Sequence, residues 1–258
     1  MSLPVIPTLL ASKSARAALR RAVPRNRACL VACRTPAQLE RTLAGVLADA
    51  VVVDWRVAGA REALARVRTR YPGVPRFLYT AWRPDDAEGL AACLAEGAAP
   101  IVEGVEDAVV GELLMPRTAS AARVAMLAGA PRLLRLTDIL QERAWGEVMR
   151  RIGGKLRTTD IARSLKVSRE HLSRQFGAGG APNLKRVIDL ARAATAADLL
   201  ANPGYSVRAV ARILGFASAS HLAGAARRVA GVSARELPRL GPRGVLAAFV
   251  RGRTRSRG

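Results

Sequence analysis

Apolar residues recur over the first 115 positions in short runs, at 5–10, 28–33, 50–54, 76–80 and 99–103. Stretches with helical spacing lie between and after them, near 12–22, 36–48, 59–70, 85–96 and 106–114. Runs this short and continuous predict strands buried on both faces, with the helices as their cover. Five such strand–helix units predict a parallel sheet in an α/β domain of the flavodoxin-like class. The rhythm then changes. PRTAS (116–120) and GAPR (129–132) read as turns, while LTDILQERAWGEVMRRI (136–152) predicts a helix with Leu140, Trp145 and Val148 on or near one face. Trp145 suits packing against the helices that follow, or a dimer contact.

From residue 157 the pattern is all-α, and it repeats about fifty residues on. TTDIARSLKVSREHLSRQF (158–176) and SVRAVARILGFASASHLAGAARRVAG (206–231) each predict two short helices around a tight turn. Ile161 and Ala162 align with Val210 and Ala211, Leu165 with Leu214, and His171 and Leu172 with His221 and Leu222. The second turn has one extra residue. Ala162 and Ala211 are small where two helices must approach closely, Leu172 and Leu222 point back into the core, and Ser168 and Ser218 are placed to cap the second helices. Between the copies, NLKRVIDLARAATAADLL (183–200) predicts one helix, stopped by Asn202, Pro203 and Gly204. At about 1.5 Å per residue it would be a rigid spacer of about 27 Å. Two similar helix pairs on one chain imply a bipartite DNA site.

VSREHLSRQF (167–176), RAATAADLL (192–200), AVARILGFASASHL (209–222) and GVS (231–233) together resemble the AraC/XylS family of transcription regulators over about the C-terminal third of the chain. Leu222 and Ala226 depart from it where the family usually has phenylalanine, and Ala234 where it usually has proline. Gly224, inside the second recognition helix, costs roughly 1 kcal/mol relative to alanine. The resemblance implies that Glu170, Ser173 and Arg174 face base edges in the first head, and Ala219, Ser220 and Gly224 in the second. Arginine can bond guanine O6 and N7 together and glutamate can accept from cytosine N4, whereas the second head has little side chain to read with. Arg169, Arg227 and Arg228 are the candidate phosphate contacts. His171 and His221 are expected to pack or bond backbone rather than to sense pH.

Charge follows the repeats. Residues 121–258 hold 26 Lys+Arg and 8 Asp+Glu, a net +18, against 16 and 12 in residues 1–120, a net +4. Charge alone would suit RNA or an anionic membrane as well, and the repeats favour duplex DNA. No apolar run approaches the roughly 18 residues of a membrane span, and the start MSLPVIPTLLASKS lacks a basic n-region with a long apolar segment after it. Cys29, Cys33 and Cys93 are expected to be reduced, buried thiols, and no metal site or cofactor is expected.

The first half is also similar to the receiver domains of two-component response regulators. VVVDW (51–55) matches the strand that ends in a phospho-acceptor, RYPGVPRFLYTA (70–81) the strand that ends in a switch Thr/Ser, and AEGAAPIVEG (95–104) the last strand. The resemblance makes Asp54 a vestigial phospho-acceptor and Thr80 a vestigial switch residue. Its metal-binding acidic pair is missing, because Leu10, Ala11, Ser12 and Lys13 stand there, and Glu103 stands where the family has a lysine. Acyl-phosphate chemistry needs a cation beside the carboxylate, so Asp54 reads as structural.

The expected organisation is a receiver-like α/β domain (1–115), a linker and connecting helix (116–156), a double helix-turn-helix domain (157–240) and a solvated basic tail (241–258). The expected function is a non-enzymatic, cytoplasmic, nucleoid-associated bacterial regulator. Its partners would be double-stranded DNA, RNA polymerase and a second copy of itself, with no membrane. An architectural DNA binder is the main alternative, and a response regulator phosphorylated on Asp54 the second.

Overall fold

The computed structural model describes residues 3–177 and 180–255. It divides into two compact units, Leu3–Ala122 with Asn202–Gly204, and Arg123–Ala201 with Tyr205 to the end of the described chain.

The first unit is a five-stranded parallel sheet in the order β2-β1-β3-β4-β5, formed by β1 (Val5–Leu9), β2 (Cys29–Ala32), β3 (Val51–Val53), β4 (Arg76–Thr80) and β5 (Ala99–Val102). This is the doubly wound, flavodoxin-like order. α1 (Lys13–Ala22), α2 (Pro36–Gly45), α3 (Ala60–Arg70), α4 (Ala87–Ala95) and α5 (Val110–Leu114) follow the strands in turn. Val51, Val52 and Val53 are each 0% exposed, as a central strand covered on both faces requires. Alternate residues Ile6, Val52, Phe77, Tyr79 and Ile101 join Ala15, Ala18 and Leu19 of α1 and Val110 and Leu114 of α5 in one core layer. The last helix is shorter than its pattern predicts. Glu106 accepts from Val102 N at 2.6 Å and Asp107 from Gly104 N at 2.8 Å, and these local bonds keep the chain in turns before Val110.

The second unit is all helix. α6 (Ala119–Met126) crosses into it, followed by α7 (Ala130–Leu133), α8 (Ile139–Arg150), α9 (Thr158–Ser164), α10 (Arg169–Gly177), α11 (Leu184–Leu200), α12 (Val207–Ile213), α13 (Ala219–Ala230) and α14 (Leu237–Arg255). PRTAS and GAPR are therefore more than turns. Pro116 lies in a short 3-10 turn (Met115–Arg117) and Pro131 in the first turn of α7, positions where a missing N–H costs nothing. α8 belongs to the unit rather than to a linker. It packs on α9, α10 and α11, and its Trp145 is 7% exposed, so that side chain serves this core and not a dimer contact.

The expectation of a solvated tail from Gly241 is overturned. The chain breaks helical geometry at Gly241 (φ 62°, ψ 175°), resumes at Pro242, and lays α14 along α11 with Val245, Leu246 and Phe249 at 0%, 5% and 2% exposure. Those residues lie at i, i+1 and i+4, an apolar stripe hidden in the sequence by its arginines. Residues 256–258 of the expected tail lie outside the described residues.

Candidate nucleic-acid interface

In the first helix pair, Ile161, Ala162, Leu172 and Phe176 are all buried and fix α9 against α10. The turn between them needs a left-handed residue, and Lys166 supplies it at φ 56°. Ser168 Oγ then accepts from His171 N at 3.1 Å, capping α10 as its sequence predicts. From α8, Gln141 Nε2 donates to Gln175 O at 2.7 Å and satisfies a carbonyl near the other end of α10. This leaves Arg169, Glu170, His171, Ser173 and Arg174 exposed. Glu170 and Arg174 are four residues apart, yet no ion pair among the described residues engages either of them. Arg169 and Ser173 line a concavity of about 260 Å³ with Thr158, Asn183 and Lys185.

The second pair repeats the construction. Ser206 Oγ accepts from Ala209 N and Ser218 Oγ from His221 N, both at 3.1 Å. Val210, Leu214, Leu222, Ala225 and Ala226 are each 0% exposed. The turn's left-handed position is Gly215 at φ 68°, and a Cβ there would lie 2.5 Å from the Gly154 carbonyl. Glycine is thus required twice over, by conformation and by close backbone approach. α13 runs unbroken through Gly224, where an added Cβ would meet little besides the end of Arg228 at 3.3 Å. Ser220, His221, Arg227 and Arg228 are exposed, while Ala219 and Gly224 are half-buried. His221 meets the edge of Phe216 at 6.3 Å between ring centres.

Four cations beside these heads were not legible as site residues from the family pattern. Arg208 and Arg212, four apart on the polar face of α12, line a broad concavity of about 690 Å³ with Ala217, Ala219 and Ser220 at the start of α13. Lys185 and Arg186, in the first turn of the spacer α11, line another of about 410 Å³ with Arg228 and Phe249. The available signal was polarity: Arg208 and Arg212 are exposed while Val210 and Ala211 between them are buried.

Arg192, midway along α11, joins the heads. Its guanidinium donates to Gly154 O at 3.3 Å and Leu156 O at 3.2 Å, just before the first pair, and lies 5.4 Å from the Phe216 ring of the second. Gly154 N in turn donates to Ile213 O at 2.8 Å. Burial holds the Arg192 pKa below the usual arginine value, and the nearby Asp189 only partly offsets this. Spacer and heads are knit through backbone carbonyls.

In the sheet unit, Asp54 is 4% exposed and follows β3 directly. Its Oδ1 accepts from Thr80 Oγ1 at 2.9 Å and from Arg56 N at 3.0 Å. After β1, at the positions where the receiver resemblance implies an acidic pair, Arg16 Nη1 donates to the carbonyls of Leu10 and Ala11 at 2.5 and 3.0 Å. Glu103 accepts from Ser14 Oγ at 2.9 Å. Trp55, next to Asp54, lies 5.2 Å from Trp82 and carries the Arg61 guanidinium 4.2 Å above its ring. No group of three or more His, Cys, Asp or Glu that could hold a metal ion occurs among the described residues. Cys33 and Cys93 are buried as expected, but Cys29 is exposed, because it lies on the edge strand β2.

Residues 161–239 match the family model HTH_18, a helix-turn-helix domain. No curated protein matches the chain. Among solved structures, the chain is similar to full-length FixJ from B. japonicum, over 90% of this chain and 100% of that one. The identity is 15% and the TM-score 0.42, a slight likeness. No described helix is long and apolar enough to cross a membrane.

Proposed function

We propose that this chain, a DNA-binding transcription regulator with an AraC-type helix-turn-helix domain at residues 161–239, reads a bipartite duplex site in two successive major grooves. The observation that carries this reading is the duplication itself: two capped helix pairs, tied through Arg192 to one spacer helix of 17 residues, about 25 Å long. Glu170, Ser173 and Arg174 do most of the base reading. Ala219 and Ser220 approach the bases of the second groove with short side chains, so the second head holds mainly by shape and phosphate. Arg169, Arg227 and Arg228, with Arg208, Arg212 and Lys185, supply the phosphate contacts.

The sheet unit regulates or dimerises without phosphorylation. Asp54 already spends one oxygen on Thr80 and Arg56 N, and a guanidinium occupies the carbonyls beside the missing metal ligands. Glu103 would repel an incoming phosphoryl group. RNA polymerase and a second copy are the protein partners this reading expects, in a bacterial cytoplasm on the nucleoid.

Selecting duplexes from a random pool with the full chain, then titrating salt on the selected and on random DNA, tests the reading. A preference of about 10³-fold or more at physiological salt supports a sequence-specific regulator. Equal affinity for both makes the chain an architectural binder.

A further inference from the structure

Residues 1–27 contain Lys13, Arg16, Arg20, Arg21, Arg25 and Arg27 and no Asp or Glu, whereas residues 28–120 hold 10 Lys+Arg against 12 Asp+Glu. The whole positive excess of the sheet unit therefore comes from α1 and the turn after it. α1 is sharply two-sided. Ala15, Ala18 and Leu19 are buried in the core, and Lys13 and Arg20, seven apart and so nearly in line, stand on the opposite face. Arg25 and Arg27 follow just past the helix, in a turn closed by Arg27 N donating to Pro24 O at 2.8 Å. Arg16 is engaged elsewhere, on the Leu10 and Ala11 carbonyls. Lys13, Arg20, Arg21, Arg25 and Arg27 are exposed, and no ion pair among the described residues involves them.

Helix stability does not explain the row. Arg20 and Arg21 favour the negative end of the helix dipole, but Lys13 sits at the positive end with no acidic residue in the first turn. Arg25 and Arg27 lie past the helix altogether. Only Lys13 stands against the helix dipole, but all five cations are exposed and outside the ion pairs of the described residues, and together they give this segment of the sheet unit a positively charged surface that suits an anion.

We propose that this face of the sheet unit is an additional, sequence-independent contact to DNA phosphates. The inference rests on the reading that the helical unit binds duplex DNA, since that tether holds the sheet unit at high effective concentration near a polyanion. Weak phosphate contacts then add affinity and salt dependence without adding base preference.

The test uses the full chain and a duplex selected by it. Arg20→Gln, Arg25→Gln and Arg27→Gln together should flatten the slope of log affinity against log salt by about 0.9 for each phosphate no longer neutralised, and so by up to about 2.7. The ratio of selected to random binding should stay unchanged. The matching triple Lys variant keeps the charge and should keep the parent slope; if it flattens the slope equally, the effect is structural and the proposal falls. A Gln variant with the parent slope also overturns it, and points to an acidic protein surface instead. Failure of the parent chain to bind any duplex would refute the underlying DNA reading, and that result is distinct from both.

Discussion

Arg192 on the spacer helix donates to the Gly154 carbonyl at 3.3 Å, and the Gly154 N–H donates onward to Ile213 O at 2.8 Å in the second head. One side chain thus closes a bridge between segments far apart in sequence. Arg192→Ala would leave the Gly154 and Leu156 carbonyls without this donor, at a cost of about 1–3 kcal/mol in urea unfolding. It should also lower the affinity for a two-element duplex more than for one element alone. Arg192→Lys should restore only part, because an ammonium cannot reproduce the planar fork. Equal losses on both duplexes would mean that Arg192 serves stability without aligning the heads.

Base reading and phosphate binding should separate by residue. Arg174→Ala is expected to cost about 1–3 kcal/mol on the best site and to relax preference at one base pair. Arg227→Ala or Arg208→Ala should weaken all duplexes alike and reduce the salt slope by about 1. Competition binding with single-base variants of the site checks this. Equal loss on specific and random DNA for Arg174→Ala would move that residue to the phosphate class.

The sheet unit should not accept a phosphoryl group. Incubation with a small phosphodonor and Mg²⁺ should leave the intact mass and the DNA affinity unchanged. An added phosphoryl mass that disappears in Asp54→Ala, together with altered binding, would restore phosphorylation control.

The three thiols should differ. Burial raises the Cys33 pKa, hydrogen bonds from Thr42 and Thr8 offsetting it in part, and burial also raises that of Cys93. A thiol reagent near neutral pH should label the exposed Cys29 alone in the native chain and all three cysteines in urea. A raised folded pKa favours the protonated native form. That stability is complete below the unfolded thiol value of about 8.5 and is lost as pH rises through the folded one. Urea midpoints should therefore fall above about pH 8.5, and less so in Cys33→Ala than in the parent. Labelling of Cys33 at the rate of Cys29 would contradict its buried setting.

Phe249→Ala should unfold the helical unit at lower urea, with a cost of about 3–5 kcal/mol for an emptied aromatic site. A change below about 0.5 kcal/mol would return the segment to a solvated tail.

All five strands were legible to within a residue or so at their ends, because continuous apolar runs such as VVV have few other ways to be buried. Ser168 and Ser218 announced both recognition helices through local cap chemistry, and the spacer helix announced itself through its apolar period. α14 was hidden because Val245, Leu246 and Phe249 sit among glycines and arginines, and their stripe gains meaning only from the facing surface of α11. Arg192 lies within the RAATAADLL motif, but its role is tertiary: its partners lie 36 and 38 residues away, on backbone atoms that no sequence pattern marks. Arg208 and Arg212 sit on the first helix of their pair, away from the positions that the family pattern assigns to DNA.

The most direct measurement is hydroxyl-radical footprinting of the full chain on its selected duplex. Two protected patches on one face of the DNA, about one helical turn or roughly 34 Å apart, are predicted. Arg174→Ala should weaken the first patch and Arg208→Ala the second. Protection confined to one groove, or spread evenly along the duplex, would contradict bipartite recognition.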